Sequence, residues 1–163
     1  MNYAQRLKAL QSETNCCRKI LVADDSPEPT SPFAAKDCFS LSGLESSWGV
    51  SPPAKQAGPK TAPLIEKLIS EGGELVALTN LDPLCLSASG ENKYHGAVLQ
   101  PPSRAGKAAL GSSSGSGVLA ASGLVIGAFG TDLGGSVRLP AAANGVIGFK
   151  SSPNLFSRED VLL

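Results

Sequence analysis

The sequence predicts an α/β fold whose mostly parallel sheet is flanked by helices. Three observations carry this. Residues 32–78 read as strand, crossover, helix and strand, the pattern of a parallel pair. Eighteen glycines with only 5% aromatic residues describe a core of small side chains. Finally, two glycine-rich, serine-bearing turns, Gly111 to Gly117 and Gly130 to Ser136, enclose an apolar segment that belongs in a core. Glycine costs backbone entropy, so two such clusters beside a buried element point to close backbone approach, with free amides facing a reacting group.

The elements follow in chain order. Tyr3, Leu7 and Leu10 lie at helical spacing within residues 2–12. Residues 19–23 read as a strand. Three prolines make 24–32 a loop. Residues 32–37 form a second strand, ending on two charges, Lys36 and Asp37. Residues 40–60 are a long loop, a length associated with function or disorder. Thr61 is placed to cap a helix carrying Leu64, Ile65, Leu68 and Ile69, stopped by Gly72 and Gly73. Residues 74–78 are a buried strand, and 81–87 a short helix. Residues 89–107 are loop, 118–124 a buried helix, 125–129 a strand and 146–150 a further strand. Residues 151–163 are loop with a short apolar end.

The chain of 163 residues is long enough for one domain with its own core. Fourteen basic residues balance fourteen acidic ones, which argues against nucleic acid or an anionic membrane as main partner. No apolar run reaches membrane-spanning length, and the N-terminus lacks a secretory pattern. Arg6 and Lys8 without an acid in residues 1–12 give a faint mitochondrial alternative to a cytoplasmic location. The four cysteines show no C-x-x-C spacing, and His95 is the only histidine. Neither a zinc site nor a disulfide framework is expected, and no cofactor is implied.

The first turn contains a literal G-x-S-x-G, Gly111 to Gly115. A nucleophile elbow needs a histidine downstream of the serine, however, and His95 lies upstream. The P-loop and S-x-x-K patterns are also absent. A serine nucleophile with a lysine base remains, since burial favours the neutral amine that this chemistry needs. Lys36, ending a buried strand, is the candidate; the competing reading is a surface lysine at a strand end.

Several segments together resemble the amidase signature family: Pro32-Phe33-Ala34-Ala35-Lys36-Asp37, Gly111 to Ser116, and Gly130-Thr131-Asp132-Leu133-Gly134-Gly135-Ser136-Val137-Arg138-Leu139-Pro140-Ala141-Ala142. Ala62 to Leu68, Thr79 to Asp82 and Gly90-Glu91-Asn92 are similar too. The motifs occur in family order across roughly residues 32 to 153. The family contains amide hydrolases and the A subunit of the tRNA-dependent amidotransferase.

The resemblance implies an α/β/α core with a mixed, mostly parallel sheet. Residues 1–31 would form an N-terminal helix, strand and linker, and 32–163 a partial catalytic domain. It implies a Ser–Ser–Lys triad: Ser136 as nucleophile, Ser112 as relay held by a cis peptide bond, and Lys36 as base. Backbone amides of Leu133, Gly134 and Gly135 would form the oxyanion hole. Ser113, Asp132 and Arg138 would support the network. The implied substrate is a small-molecule amide. Three departures stand out: Leu110 and Ser114 where glycine is common, and Cys38 where asparagine is frequent. The chain reads as the front portion of an amidase, with a partner subunit or self-association covering an incomplete sheet. Two further readings stay open: a non-catalytic fragment or interaction module, and a glutaminase like the A subunit of the amidotransferase.

Overall fold

A computed structural model describes residues 1–101 and 107–162. The part of the expected 89–107 loop at 102–106, and the terminal residue 163, lie outside the described residues. The elements are α1 (Tyr3–Thr14), β1 (Cys17–Ile20), β2 (Pro32–Lys36), α2 (Pro63–Ser70), β3 (Glu74–Thr79), α3 (Ser114–Ala121), β4 (Gly127–Phe129) and α4 (Arg138–Asn144), with a 3-10 turn over Pro83–Cys85. The four strands form one mixed sheet in the order β1-β3-β2-β4. β2 runs parallel to both β3 and β4, as the strand–helix–strand pattern requires, and β1 is antiparallel to β3.

Both faces of the sheet are covered. Tyr3 and Leu7 of α1 pack with Ala34, Val76 and α3's Val118 and Leu119. On the other side, Ile65 of α2 packs with Phe33, Ala35, Leu78, Phe39 and Leu81. Burying each large apolar side chain contributes about 1.5–3 kcal/mol. All five residues of β2 are buried, so the strand is central in both senses. α1 begins with a capping box between Asn2 and Gln5 and ends on Asn15 in the left-handed region (φ 56°).

Four expectations are corrected. The first strand lies at Cys17–Ile20 rather than 19–23, because its position is set by pairing with β3, where Cys17 stands opposite Thr79. Thr61 does not cap α2; the N-cap is Ala62, and Thr61 Oγ1 instead accepts from the Ser42 N–H at 2.9 Å. α3 starts at Ser114, inside the glycine–serine run, and not at 118. Close packing outweighs helix propensity here: a Cβ on Gly115 would run into the Cys16 carbonyl and the Asn80 backbone, and one on Gly117 would meet Pro140 at 3.0 Å. Residues 146–150 are no strand. They follow α4 as irregular chain, with Ile147 and Phe149 exposed. The helix before them was not anticipated; its Pro140 sits in the first turn, where a missing N–H costs little.

The loop between β2 and α2 is tied down at its ends. Asp37 Oδ2 accepts from the Ser47 N–H at 3.0 Å, and Lys55 Nζ donates to Ser40 Oγ and to Asp160 Oδ1, each at 2.7 Å. Among the described residues, no helix is long and apolar enough to cross a membrane.

Candidate active site

Lys36 ends β2 and is 0% exposed. Its Nζ donates to Ser112 Oγ at 2.7 Å and to Thr131 Oγ1 at 3.0 Å. Among the described residues no carboxylate forms an ion pair with it. Two hydroxyls are therefore its closest polar partners, with the Cys85 thiol also within its reach. The sheet explains this placement. Ala35 is paired with Phe129 at the end of β4, so the chain leaving β4 brings Thr131 over the end of β2. A buried amine without such partners would be costly, so the hydroxyls stabilise the lysine's inward position.

Ser112 is also fully buried. The Gly111–Ser112 peptide bond is cis. The Asp82 N–H donates to the Ser112 carbonyl at 3.2 Å, and the Gly111 N–H to the Ala88 carbonyl at 2.9 Å. A Cβ on Gly111 would collide with the Asp82 carboxylate, so this glycine is required by close approach. Asp82 Oδ2 in turn accepts from the Gly90 N–H at 3.1 Å and from the Ser87 hydroxyl. Leu110, just before Gly111, lies in the left-handed region at φ 56°.

The two glycine-rich turns meet through their backbones. The Ser113 N–H donates to the Ser136 carbonyl at 3.0 Å, and Ser113 Oγ reaches the Thr131 carbonyl at 3.5 Å. Gly130 lies against the Ser113 side chain, which leaves no room for a Cβ. Ser136 is half-buried.

Asp132 organises the second turn. Its carboxylate accepts from the N–H groups of Gly135 (2.8 Å), Val137 (3.1 Å) and Arg138 (3.3 Å). It also takes a two-pronged contact from the Arg138 guanidinium at 2.9 and 3.0 Å. The Arg138 hydrogen bond, joined by the backbone donors and opposed by burial, holds Asp132 far below the usual carboxylate range. The Gly135 amide is thus directed at Asp132, whereas Leu133 and Gly134 stand exposed, Leu133 at 92%.

The structure therefore brings Lys36 together with Ser112, and joins Ser113 to the backbone of Ser136 and to Thr131. Asp132 and Arg138 form a pair that shapes the turn. Sequence reasoning missed Thr131 as a partner of Lys36, although it lies inside the second motif. It also missed Asp82 as the buttress of the first turn.

An α/β sheet that buries a lysine against a serine, beneath two backbone-linked serine–glycine turns, defines the class of protein at hand. The chain belongs to the Amidase family, whose profile matches residues 30–162. It is 37% identical over 132 residues to Amidase 1 of Oryza sativa, covering 80% of this chain and 30% of that protein. It is 38% identical over 127 residues to the A subunit of the glutamyl-tRNA(Gln) amidotransferase of Chromohalobacter salexigens, covering 78% of this chain and 26% of that one. A solved crystal structure of an amidase superposes with a TM-score of 0.84 at 32% identity, over 99% of this chain and 40% of the other. The chain thus spans less than a third of the length of the rice and Chromohalobacter relatives.

Proposed function

We propose that this chain carries the catalytic centre of an amide (C–N) hydrolase that uses a serine nucleophile and a serine–lysine relay. The observation that carries this reading is the 2.7 Å hydrogen bond between Lys36 Nζ and Ser112 Oγ in a fully buried setting. Ser136 Oγ attacks the amide carbonyl, its proton passes through Ser112 to Lys36, and the amine or ammonia leaves with that proton. Water then hydrolyses the acyl-serine. The exposed Leu133 and Gly134 amides offer donors to the developing oxyanion. The Gly135 N–H joins them only by exchanging its Asp132 acceptor.

In this reading residues 32–163 are the catalytic portion, and residues 1–31 supply α1 and the edge strand β1. The exposure of the large apolar side chains Leu133, Ile147 and Phe149 supports a further protein segment or subunit as their cover. The likeness to the A subunit of an amidotransferase favours a second reading, in which glutamine is the amide and a partner receives its ammonia.

Labelling with a fluorophosphonate tests the nucleophile. The folded protein is expected to be modified at Ser136, and labelling that survives Ser136→Ala would sink the assignment. A folded protein that takes no label supports the non-catalytic alternative. Ammonia release from a panel containing glutamine and simple aliphatic and aryl amides separates the two enzymatic readings.

A further inference from the structure

Thr131 Oγ1 gathers more than the lysine. Besides Lys36 Nζ at 3.0 Å, it lies 3.9 Å from Cys38 Sγ and 3.8 Å from Cys85 Sγ. The two thiols come from different segments of the chain and pack in one cluster. Cys38 follows β2 and is 0% exposed, whereas Cys85 sits in the 3-10 turn and is half-buried. Leu84 and Cys85 both occupy the left-handed region, at φ 53° and 60°, so the turn holds its thiol in a defined direction. Neither cysteine has a part in the relay.

We propose that Cys85 and Cys38 form a peroxide-responsive thiol pair, in which Cys85 is oxidised first and Cys38 resolves it to a disulfide beside Lys36.

The electrostatics agree with these roles. Hydrogen bonding with Cys38, opposed by burial and aided by Lys36 and Thr131, brings the Cys85 thiol down to about 6. Burial, reinforced by Cys85, pushes the Cys38 thiol up. The nucleophilic thiolate is thus the one that solvent can reach, and the protonated thiol is the one inside.

The chemistry closes without a further reagent. The Cys85 thiolate attacks one oxygen of hydrogen peroxide, the O–O bond breaks, and sulfur gives up two electrons to become the sulfenic acid while hydroxide leaves. The Cys38 sulfur, losing its proton, then attacks the Cys85 sulfur. The S–S bond forms, the S–O bond breaks, and the departing hydroxyl leaves as water with a proton. In sum, two thiols and one peroxide give one disulfide and two waters.

Peptide mass mapping of the 163-residue chain after hydrogen peroxide is the test. The expected result is a linked Cys38–Cys85 peptide pair, two hydrogens lighter than the reduced pair and restored by dithiothreitol. In Cys38→Ala, dimedone is expected to trap a sulfenic acid at Cys85. Linkage confined to Cys16 and Cys17, or a Cys85 that stays reduced under peroxide, would overturn the proposal. A second measurement needs no variant. Alkylation of Cys85 by iodoacetamide should slow about tenfold from pH 7 to pH 5, against about a hundredfold for an ordinary thiol. A hundredfold change would remove the basis for Cys85 reacting first.

Discussion

Lys36 Nζ and Ser112 Oγ lie 2.7 Å apart although 76 positions separate them in the chain. Both groups are fully buried, and the lysine also donates to the hydroxyl of Thr131 at 3.0 Å. A folding chain with only stability to satisfy would place an apolar side chain at the end of β2. Its neighbours Phe33, Ala34 and Ala35 are buried apolar residues.

That contrast gives the first prediction. Replacing Lys36 with methionine removes a buried amine and keeps most of the packing volume. The thermal midpoint is expected to hold or rise, while Ser136 labelling and amide turnover fall about 100- to 10,000-fold. Calorimetry and labelling rates on the same preparation check both parts. Activity retained in a stable variant would remove Lys36 from the relay.

Thr131→Val is the milder lesion, because it removes one of two acceptors for the lysine and leaves the Ser112 contact. Its labelling rate should fall less than that of Ser112→Ala, by about tenfold against 100-fold or more. Equal losses would mean that Thr131 serves the relay as much as Ser112 does, and would overturn Ser112 as its particular route.

Asp132 sets a pH dependence with a defined sign. Its carboxyl is held below its unfolded value by Arg138 and three backbone donors, so its stabilising contribution is complete above pH of about 4. As pH drops below that value and approaches the lower folded pKa, the contribution is lost. Asp132→Asn should cost about 2 kcal/mol at neutral pH. The gap between the two proteins should narrow steadily in denaturation curves taken from pH 4 downward, and a gap that widens would contradict the assignment.

Two glycines separate folding from chemistry. Gly115→Ala forces a Cβ into the backbone of Cys16 and Asn80, and should destabilise the fold by about 3 kcal/mol or more. A Cβ on Gly134 meets nothing within 4 Å, so Gly134→Ala should leave the unfolding midpoint nearly unchanged. It should still slow Ser136 labelling, because a side chain on that exposed turn crowds an approaching carbonyl. Unchanged labelling would show that the carbonyl does not approach over Gly134.

Sequence alone reached the parallel β2–β3 pair, the lysine at a strand end and both glycine turns, because each is written in local spacing. It did not reach Thr131 beside Lys36, since that contact exists only when Ala35 pairs with Phe129 across β2 and β4. Val146, Ile147 and Phe149 read as a strand through their β-propensity, yet among the described residues no neighbouring strand offers them a ladder. In Arg138–Asn144, Pro140 concealed a helix whose cap is Gly145 at φ 71°. Ser114–Gly117 reads in sequence as part of a glycine-rich turn, whereas close packing against Cys16, Asn80 and Pro140 makes it the start of α3.

β2 is held on both edges by parallel neighbours, and it carries the amine at its last position. Successive side chains along a strand point to opposite faces. Deleting or inserting one residue between Pro32 and Lys36 would therefore turn the amine to the far side of the sheet, away from both hydroxyls. Conservative exchanges among Phe33, Ala34 and Ala35 alter only how well the sheet packs. For this strand, length is a chemical specification and side-chain identity largely a mechanical one.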